Sequence, residues 1–188
     1  MKIYKIRTEE EIIKNKNIDY RLYCAWLFNS SYNVECDYRY TYTQNFYNNL
    51  DYFLEQMQIE RVTFNRLNRK FLKQNILLGL DNTEYIFLDT DKNFVLLDKQ
   101  EIDKLLECSN NSIKAYLVIR YTLLDKQSRD IELRYIAEKI GMSTTNYEGI
   151  RNCIKQLADK RLIKIKNRYV YDVVKNINKK IYKFELIN

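Results

Sequence analysis

The tightest constraint on the fold lies between Leu133 and Leu157, where an apolar helical pattern stops at one glycine and restarts within a few residues. Leu133, Ile136, Ala137 and Ile140 recur at the spacing that lines one side of an α-helix. Gly141 follows, a residue that adopts the left-handed conformation without a Cβ clash and so ends a helix in one step. Met142 is placed to fold back under the turn, and Ser143, Thr144 and Thr145 carry hydroxyls suited to capping the next helix. That helix is expected from Asn146 to Lys160, burying Ile150, Cys153, Ile154 and Leu157. Its other side holds Thr144, Thr145, Glu148, Arg151, Asn152 and Lys155. A helix, a tight turn and a second helix with a polar, basic face fit a helix-turn-helix that docks in a nucleic-acid groove.

The residues after this pair read as β-structure. Leu162–Lys166 and Tyr169–Val174 predict a hairpin closing at Asn167-Arg168, with a second turn over Asn176–Lys180 before Ile181–Ile187. Arg168, Lys175, Lys179 and Lys180 then fall on or near wing tips, where cations meet phosphate or the minor groove and do not read bases. Ahead of the pair, Asn110-Asn111-Ser112 is expected to cap an apolar helix, Ile113–Leu124, that supports it.

The first half carries a fainter version of the same order. Met1–Arg7 has strand character, and Tyr20–Phe28 reads as an apolar helix with Trp26 as a core anchor. Ser30–Tyr42 reads as a loop or irregular hairpin, whose Tyr32, Tyr38, Tyr40 and Tyr42 either stack on bases or cover a flank of the domain. A helix over Gln44–Glu55 is expected to bury Tyr47, Leu50, Phe53 and Leu54, with Met57 just beyond it. A second helix over Thr63–Asn75 is expected to bury Phe64, Leu67, Phe71 and Leu72, and a hairpin follows through Asp81-Asn82. Residues 52–57 match residues 135–140 in type, and Phe64, Leu67, Phe71, Ile76 and Leu77 fall on Ile150, Cys153, Leu157, Leu162 and Ile163. The offset shifts by three residues within the turn, and Asn68 falls where the second copy has Ile154. On this reading the chain is mainly α with short β-hairpins, α+β in class. Two tandem winged-helix units are expected to pack together: residues 1–90, a connecting segment 91–112, and residues 113–188.

Composition narrows the function. The chain has no histidine, so Ser-His or Cys-His nucleophiles and histidine-bound metals are excluded. Its 17 tyrosines alone do not make a tyrosine-nucleophile enzyme, and the three glycines cannot form a G-x-x-x-x-G-K phosphate loop. No catalytic residue, metal or cofactor is therefore expected. Four cysteines fit no zinc spacing and are expected to be reduced. No apolar run is long enough to span a membrane and the N-terminus lacks a leader pattern, so a cytoplasmic protein is expected. Charge is uneven: residues 1–110 hold 15 Lys and Arg against 17 Asp and Glu, a net of −2, and residues 111–188 hold 17 against 8, a net of +9. Such asymmetry points to a polyanion as the partner of the second half.

With its second helix in a major groove, Arg151 has the planar fork for guanine and Asn152 the amide for adenine. Glu148 either accepts from cytosine or only caps and repels. Lys155 suits phosphate, and Tyr147 borders the core. In the first half Arg66, Arg69, Lys70 and Lys73 line either a second DNA-facing surface or a solvated face balanced by nearby acids. The run F-V-L-L-D-K-Q-E-I-D-K-L-L-E-C-S-N-N-S-I-K-A-Y-L-V-I-R-Y, then R-Y-I-A-E-K-I-G-M-S and I-K-Q-L-A-D-K-R-L-I-K, resembles winged-helix proteins of Gram-positive plasmids and phages. These include replication initiators and DnaD-like replisome organisers. The resemblance covers about residues 94–187. It implies a double-stranded DNA-binding module with Thr144, Thr145, Arg151 and Asn152 in reading positions and the basic hairpin as wing. Other replication proteins or a second copy are possible partners on this reading. A transcriptional regulator of the same fold, and a tandem winged-helix protein-interaction factor of chromosome segregation, remain as competing readings. The +9 of the second half weighs against the last.

Overall fold

The computed structural model describes residues 3–35, 38–81, 83–88, 93–124, 126–145, 147–172 and 177–187. The chain is mixed α+β with small antiparallel sheets and divides into two units, Met1–Asn110 and Asn111–Asn188. Unit 1 runs through β1 (Ile3–Arg7), α1 (Glu10–Lys14), α2 (Tyr20–Phe28), β2 (Ser31–Asn33) and β3 (Tyr38–Tyr42). It continues with α3 (Thr43–Asn48), α4 (Leu50–Met57), α5 (Arg61–Leu72), β4 (Leu77–Gly79), β5 (Glu84–Phe87), β6 (Phe94–Asp98) and α6 (Lys99–Leu106). One sheet has the order β2-β3-β5-β4, and β1 pairs with β6 in a second.

The core of unit 1 is built on α2, which Asp19 caps by accepting from the Arg21 amide at 3.0 Å. Seven of its nine residues are buried, so it is packed on nearly every side. Trp26 stacks on Phe46 with centroids 3.7 Å apart and meets Tyr85 edge-on at 5.2 Å. Its indole N–H donates to Oδ1 of Asn68 at 2.9 Å. A buried indole N–H needs such a partner, which explains why an asparagine stands where the second unit has Ile154. Burial also pushes the Cys24 thiol far above its ordinary value, with Cys108 nearby adding to the effect.

Two expectations for unit 1 need correction. The helix expected over Gln44–Glu55 is broken at Asn49, whose side-chain amide donates to Asn45 O at 3.0 Å and Asn29 Oδ1 at 2.8 Å. The break turns Phe46 into the core and leaves Tyr47 43% exposed. Within 91–112, expected to connect two domains, residues 94–106 instead supply β6 and α6 to unit 1. β6 runs antiparallel to β1 from Ile3↔Asp98 to Arg7↔Phe94. Asp98 and Glu101 then form a reciprocal capping box that starts α6, with both bonds at 2.8 Å.

Unit 2 takes up α7 (Asn110–Leu123) from its second residue, then β7 (Ser128–Ile131), α8 (Leu133–Lys139), α9 (Tyr147–Asp159), β8 (Ile163–Asp172) and β9 (Ile177–Leu186). Its sheet has the order β7-β9-β8. Ser112, expected as part of a cap, lies inside α7 and donates from Oγ to Gln156 Oε1 of α9 at 2.6 Å. The hairpin expected to close at Asn167-Arg168 does not close there. Asn167 pairs with Tyr182 and Arg168 with Ile181, and pairing runs unbroken to Asp172↔Ile177. The β-prone run Tyr169-Val170-Tyr171 continues the strand through that point.

The two units share a sequence of events. In each, the strand before a helix pair lies beside the second strand of the hairpin after it, as β3-β5-β4 and as β7-β9-β8. The first helix of each pair stops at a left-handed residue, Gln58 (φ 52°) or Gly141 (φ 73°). Past that stop, Ile59 N donates to Leu54 O at 3.2 Å and Met142 N to Ala137 O at 2.8 Å. A second left-handed residue follows each second helix: Asn75 and Arg161, both at φ 54°.

Candidate nucleic-acid interface

The approach to α9 is fixed by the way α8 ends. Gly141 N donates to Glu138 O at 3.2 Å, and with the Met142–Ala137 bond this satisfies two carbonyls of the last turn. The Met142 side chain then lies against the first turn of α9, where a Cβ on Gly149 would come within 2.7 Å of its terminal carbon. Ser143 Oγ and Thr145 Oγ1 share a hydrogen bond at 3.0 Å, and Thr145 N donates to Ser143 Oγ at 3.3 Å. These hydroxyls hold the turn together.

α9 buries Ile150, Cys153, Ile154 and Leu157. Glu148, Arg151, Asn152 and Lys155 are exposed on its other side, preceded by exposed Ser143 and Thr145; Thr144 and Tyr147 are half-buried. At 3.6 residues per turn the outermost line is Glu148, Asn152, Lys155 and Asp159, with Arg151 on its flank. Two acids and two cations balance on this face. Unit 2's positive charge lies elsewhere: residues 160–183 hold nine Lys and Arg against one acid, Asp172.

That segment is mostly the β8–β9 hairpin. β7 flanks it from Ser128↔Glu185 to Ile131↔Tyr182; from Arg168↔Ile181 to Asp172↔Ile177 the register gives β8 and β9 only each other as partners. Ile163 and Phe184 face the core, and exposed Lys164 and Lys166 alternate with them. Lys166 Nζ reaches Glu185 Oε1 at 2.9 Å. That hydrogen bond, with Lys164 and Lys183 close by, holds the Glu185 carboxyl below the usual carboxylate range. Arg168, Lys179 and Lys180, placed at wing tips by the sequence, belong to the paired strands. Lys175 lies outside the described residues.

In unit 1, α5 occupies the place that α9 has in unit 2. It buries Phe64, Asn68 and Phe71. Arg61, Val62, Arg66, Arg69, Lys70 and Lys73 are exposed. Val62, Arg66, Arg69 and Lys73 form the outermost line, at i, i+4, i+7 and i+11, with Lys70 and Arg61 beside it. No acid occurs from residue 61 to residue 80, and among the described residues none of these five cations is in an ion pair.

The candidate positions thus gather on two surfaces. Ser143, Thr144, Thr145, Glu148, Arg151, Asn152 and Lys155 share the outer side of one turn and helix; Arg66, Arg69, Lys70 and Lys73 share one face of another. Sequence reasoning passed over Val62 and Arg61, and over Lys164 and Lys166, although the helical and strand periods place each of them outward. Among the described residues no cluster of His, Cys, Asp and Glu is arranged to hold a metal ion, and no helix is long and apolar enough to cross a membrane. No protein-family model, curated protein or solved structure matches this chain.

Proposed function

We propose that the protein binds double-stranded DNA in a sequence-specific way through unit 2, as a winged helix, and acts in initiating replication of a plasmid- or phage-type element. The observation that carries this reading is the succession of α9, with Arg151, Asn152 and Lys155 exposed, and a basic hairpin whose second strand pairs with the strand preceding the helix pair. The order α7-β7-α8-α9-β8-β9 is that of a helix-turn-helix followed by a wing. α9 enters the major groove, where Arg151 pairs with guanine and Asn152 with adenine. Ser143 meets the backbone at its entry, Thr144 and Thr145 share the reading positions with Arg151 and Asn152, and Glu148 limits which base is tolerated. The long hairpin supplies phosphate contacts through cations such as Lys179 and Lys180. α5 fits the same arrangement in unit 1, which supports reading the chain as a tandem of two such units. On this reading the protein is a cytoplasmic binding protein and carries out no covalent chemistry.

Footprinting on DNA flanking its gene tests the assignment. Repeated protected sites are the outcome expected of an initiator; one site overlapping a promoter points to a transcriptional regulator. Lys179→Ala should weaken binding to all sequences alike and lower the slope of log K against log salt by about 0.9, the contribution of one phosphate contact. If neither Arg151→Ala nor Lys179→Ala alters affinity at moderate salt, unit 2 is not a DNA-binding module.

A further inference from the structure

Unit 1 carries a net charge of −2, yet one of its helices concentrates positive charge. Arg61, Arg66, Arg69, Lys70 and Lys73 bring five positive charges to α5 and its C-cap; the rest of residues 1–110 holds 10 Lys and Arg against 17 Asp and Glu, a net of −7. All five are exposed, and among the described residues none has a salt-bridge partner. Scattered surface charges of a solvated helix would be interleaved with acids, as they are on α9. Here they are segregated onto one face of a 12-residue helix.

At the N-terminal end of the same line stands Val62, 78% exposed. A β-branched residue gains nothing for the helix there and leaves apolar surface in water. A single exposed valine needs no explanation by itself. This one lies at the head of a cationic stripe, on the turn that goes deepest when a helix enters a major groove by its N-terminus. The group in that groove which an aliphatic side chain recognises is the thymine methyl.

We infer that α5 is a second duplex-contacting helix: its cationic stripe grips DNA phosphates and Val62 packs on a thymine methyl. The inference rests on reading the chain as a duplex-binding protein and adds a site in the half whose net charge argues against one. The occupant is duplex DNA because the stripe is complementary to a polyanion and its leading residue to a base-edge methyl, a pair of features that an acidic protein surface does not match.

The experiment uses the full chain. A duplex site is selected from a random pool, and affinity is followed by fluorescence anisotropy over a range of salt. The combined variant Arg66→Ala, Arg69→Ala, Lys73→Ala should bind at least about tenfold more weakly at physiological salt, with the log K–log salt slope reduced by about 2.7, three contacts at about 0.9 each. For the wild type, replacing one contacted thymine by deoxyuridine should cost about fourfold, one methyl of buried surface; Val62→Ala should abolish that preference and keep the salt slope. Circular dichroism and Trp26 fluorescence establish that both variants are folded. A folded triple variant with the wild-type slope overturns the inference, as does an equal loss on poly-glutamate or single-stranded DNA. A thymine preference that survives Val62→Ala, or a site without one, removes the methyl contact. If Arg151→Ala still relaxes base preference in those cases, the duplex-binding reading stands alone; if the wild type retains nothing from the pool, both fall.

Discussion

Unit 1 carries a net charge of −2 and unit 2 one of +9, yet the helices at matching places in the two units reverse that order. α5 has five cations and no acid among residues 61–73, whereas the outer face of α9 sets Glu148 and Asp159 against Arg151 and Lys155. Unit 2's excess sits in and around the β8–β9 hairpin. Net charge of a domain therefore says that it attracts a polyanion and not which element meets it. On the proposed duplex-binding reading, a charge-balanced α9 beside a basic hairpin fits discrimination by the helix and long-range attraction by the hairpin; a cationic α5 in a unit of net negative charge fits a localised grip with little attraction from afar.

The comparison can be broken most forcefully in the cores. Asn68 and Ile154 occupy corresponding places, and only Asn68 has an indole to bond. Ile154→Asn should destabilise the protein by about 3 kcal/mol, because a buried amide is left without that partner; unfolding followed by far-ultraviolet circular dichroism reads this. Asn68→Ile should cost about 2 kcal/mol by stranding the Trp26 N–H, seen as an earlier transition in the fluorescence of the protein's one tryptophan. A neutral Asn68→Ile would mean that the indole bond does not distinguish the units.

Next in size is the readout of the two helices. Arg151→Ala should reduce discrimination between a selected site and its guanine-substituted variants by about 2 kcal/mol, roughly thirtyfold. Arg66→Ala should lower affinity for all of them together. Smaller still is the effect at the helix stops. Gly141→Ala, at φ 73°, should cost about 1 kcal/mol, and Gln58→Gly, at φ 52°, should stabilise by about as much. Similar melting shifts of opposite sign would confirm that the two stops are equivalent.

The least effect concerns Glu185. Its carboxyl is held below the ordinary range by Lys166, so whatever stability the pair adds is full above the ordinary carboxylate pKa and fades as pH falls through the lower folded value. A carboxyl titration by NMR should give a depressed midpoint that moves back up in Lys166→Ala.

What the sequence disclosed and what it hid divide along the range of the interactions. The Leu133–Leu157 helix pair, the Gly141 stop and the buried side of α9 depend on residues three or four apart, and all are readable from apolar spacing. The same spacing places Phe64 and Phe71 inward in α5. β7 is four residues, Ser128–Ile131, with no alternation of its own; its strand conformation comes from pairing with β9, more than fifty residues later. Asn167-Arg168 has the local chemistry of a turn, but ladder pairing with Tyr182 and Ile181 overrides it. Likewise, nothing local shows that Asn49 bonds back to Asn29 and Asn45 and so turns Phe46, not Tyr47, toward Trp26. The outward face of α5 was visible as a wheel; that its five cations make no ion pair among the described residues required the structure.

Cys24 and Cys108 are buried in unit 1 and Cys153 on the inner side of α9, all as reduced thiols. A thiol so placed reacts with a labelling reagent only when its surroundings part. With Cys36 replaced by serine, the chain would hold two clocks: the labelling rate of Cys153 counts how often α9 lifts from its sheet, and those of Cys24 and Cys108 how often the Trp26 core opens. Slowing of the first clock when duplex is added would mark α9 as an element that DNA holds down.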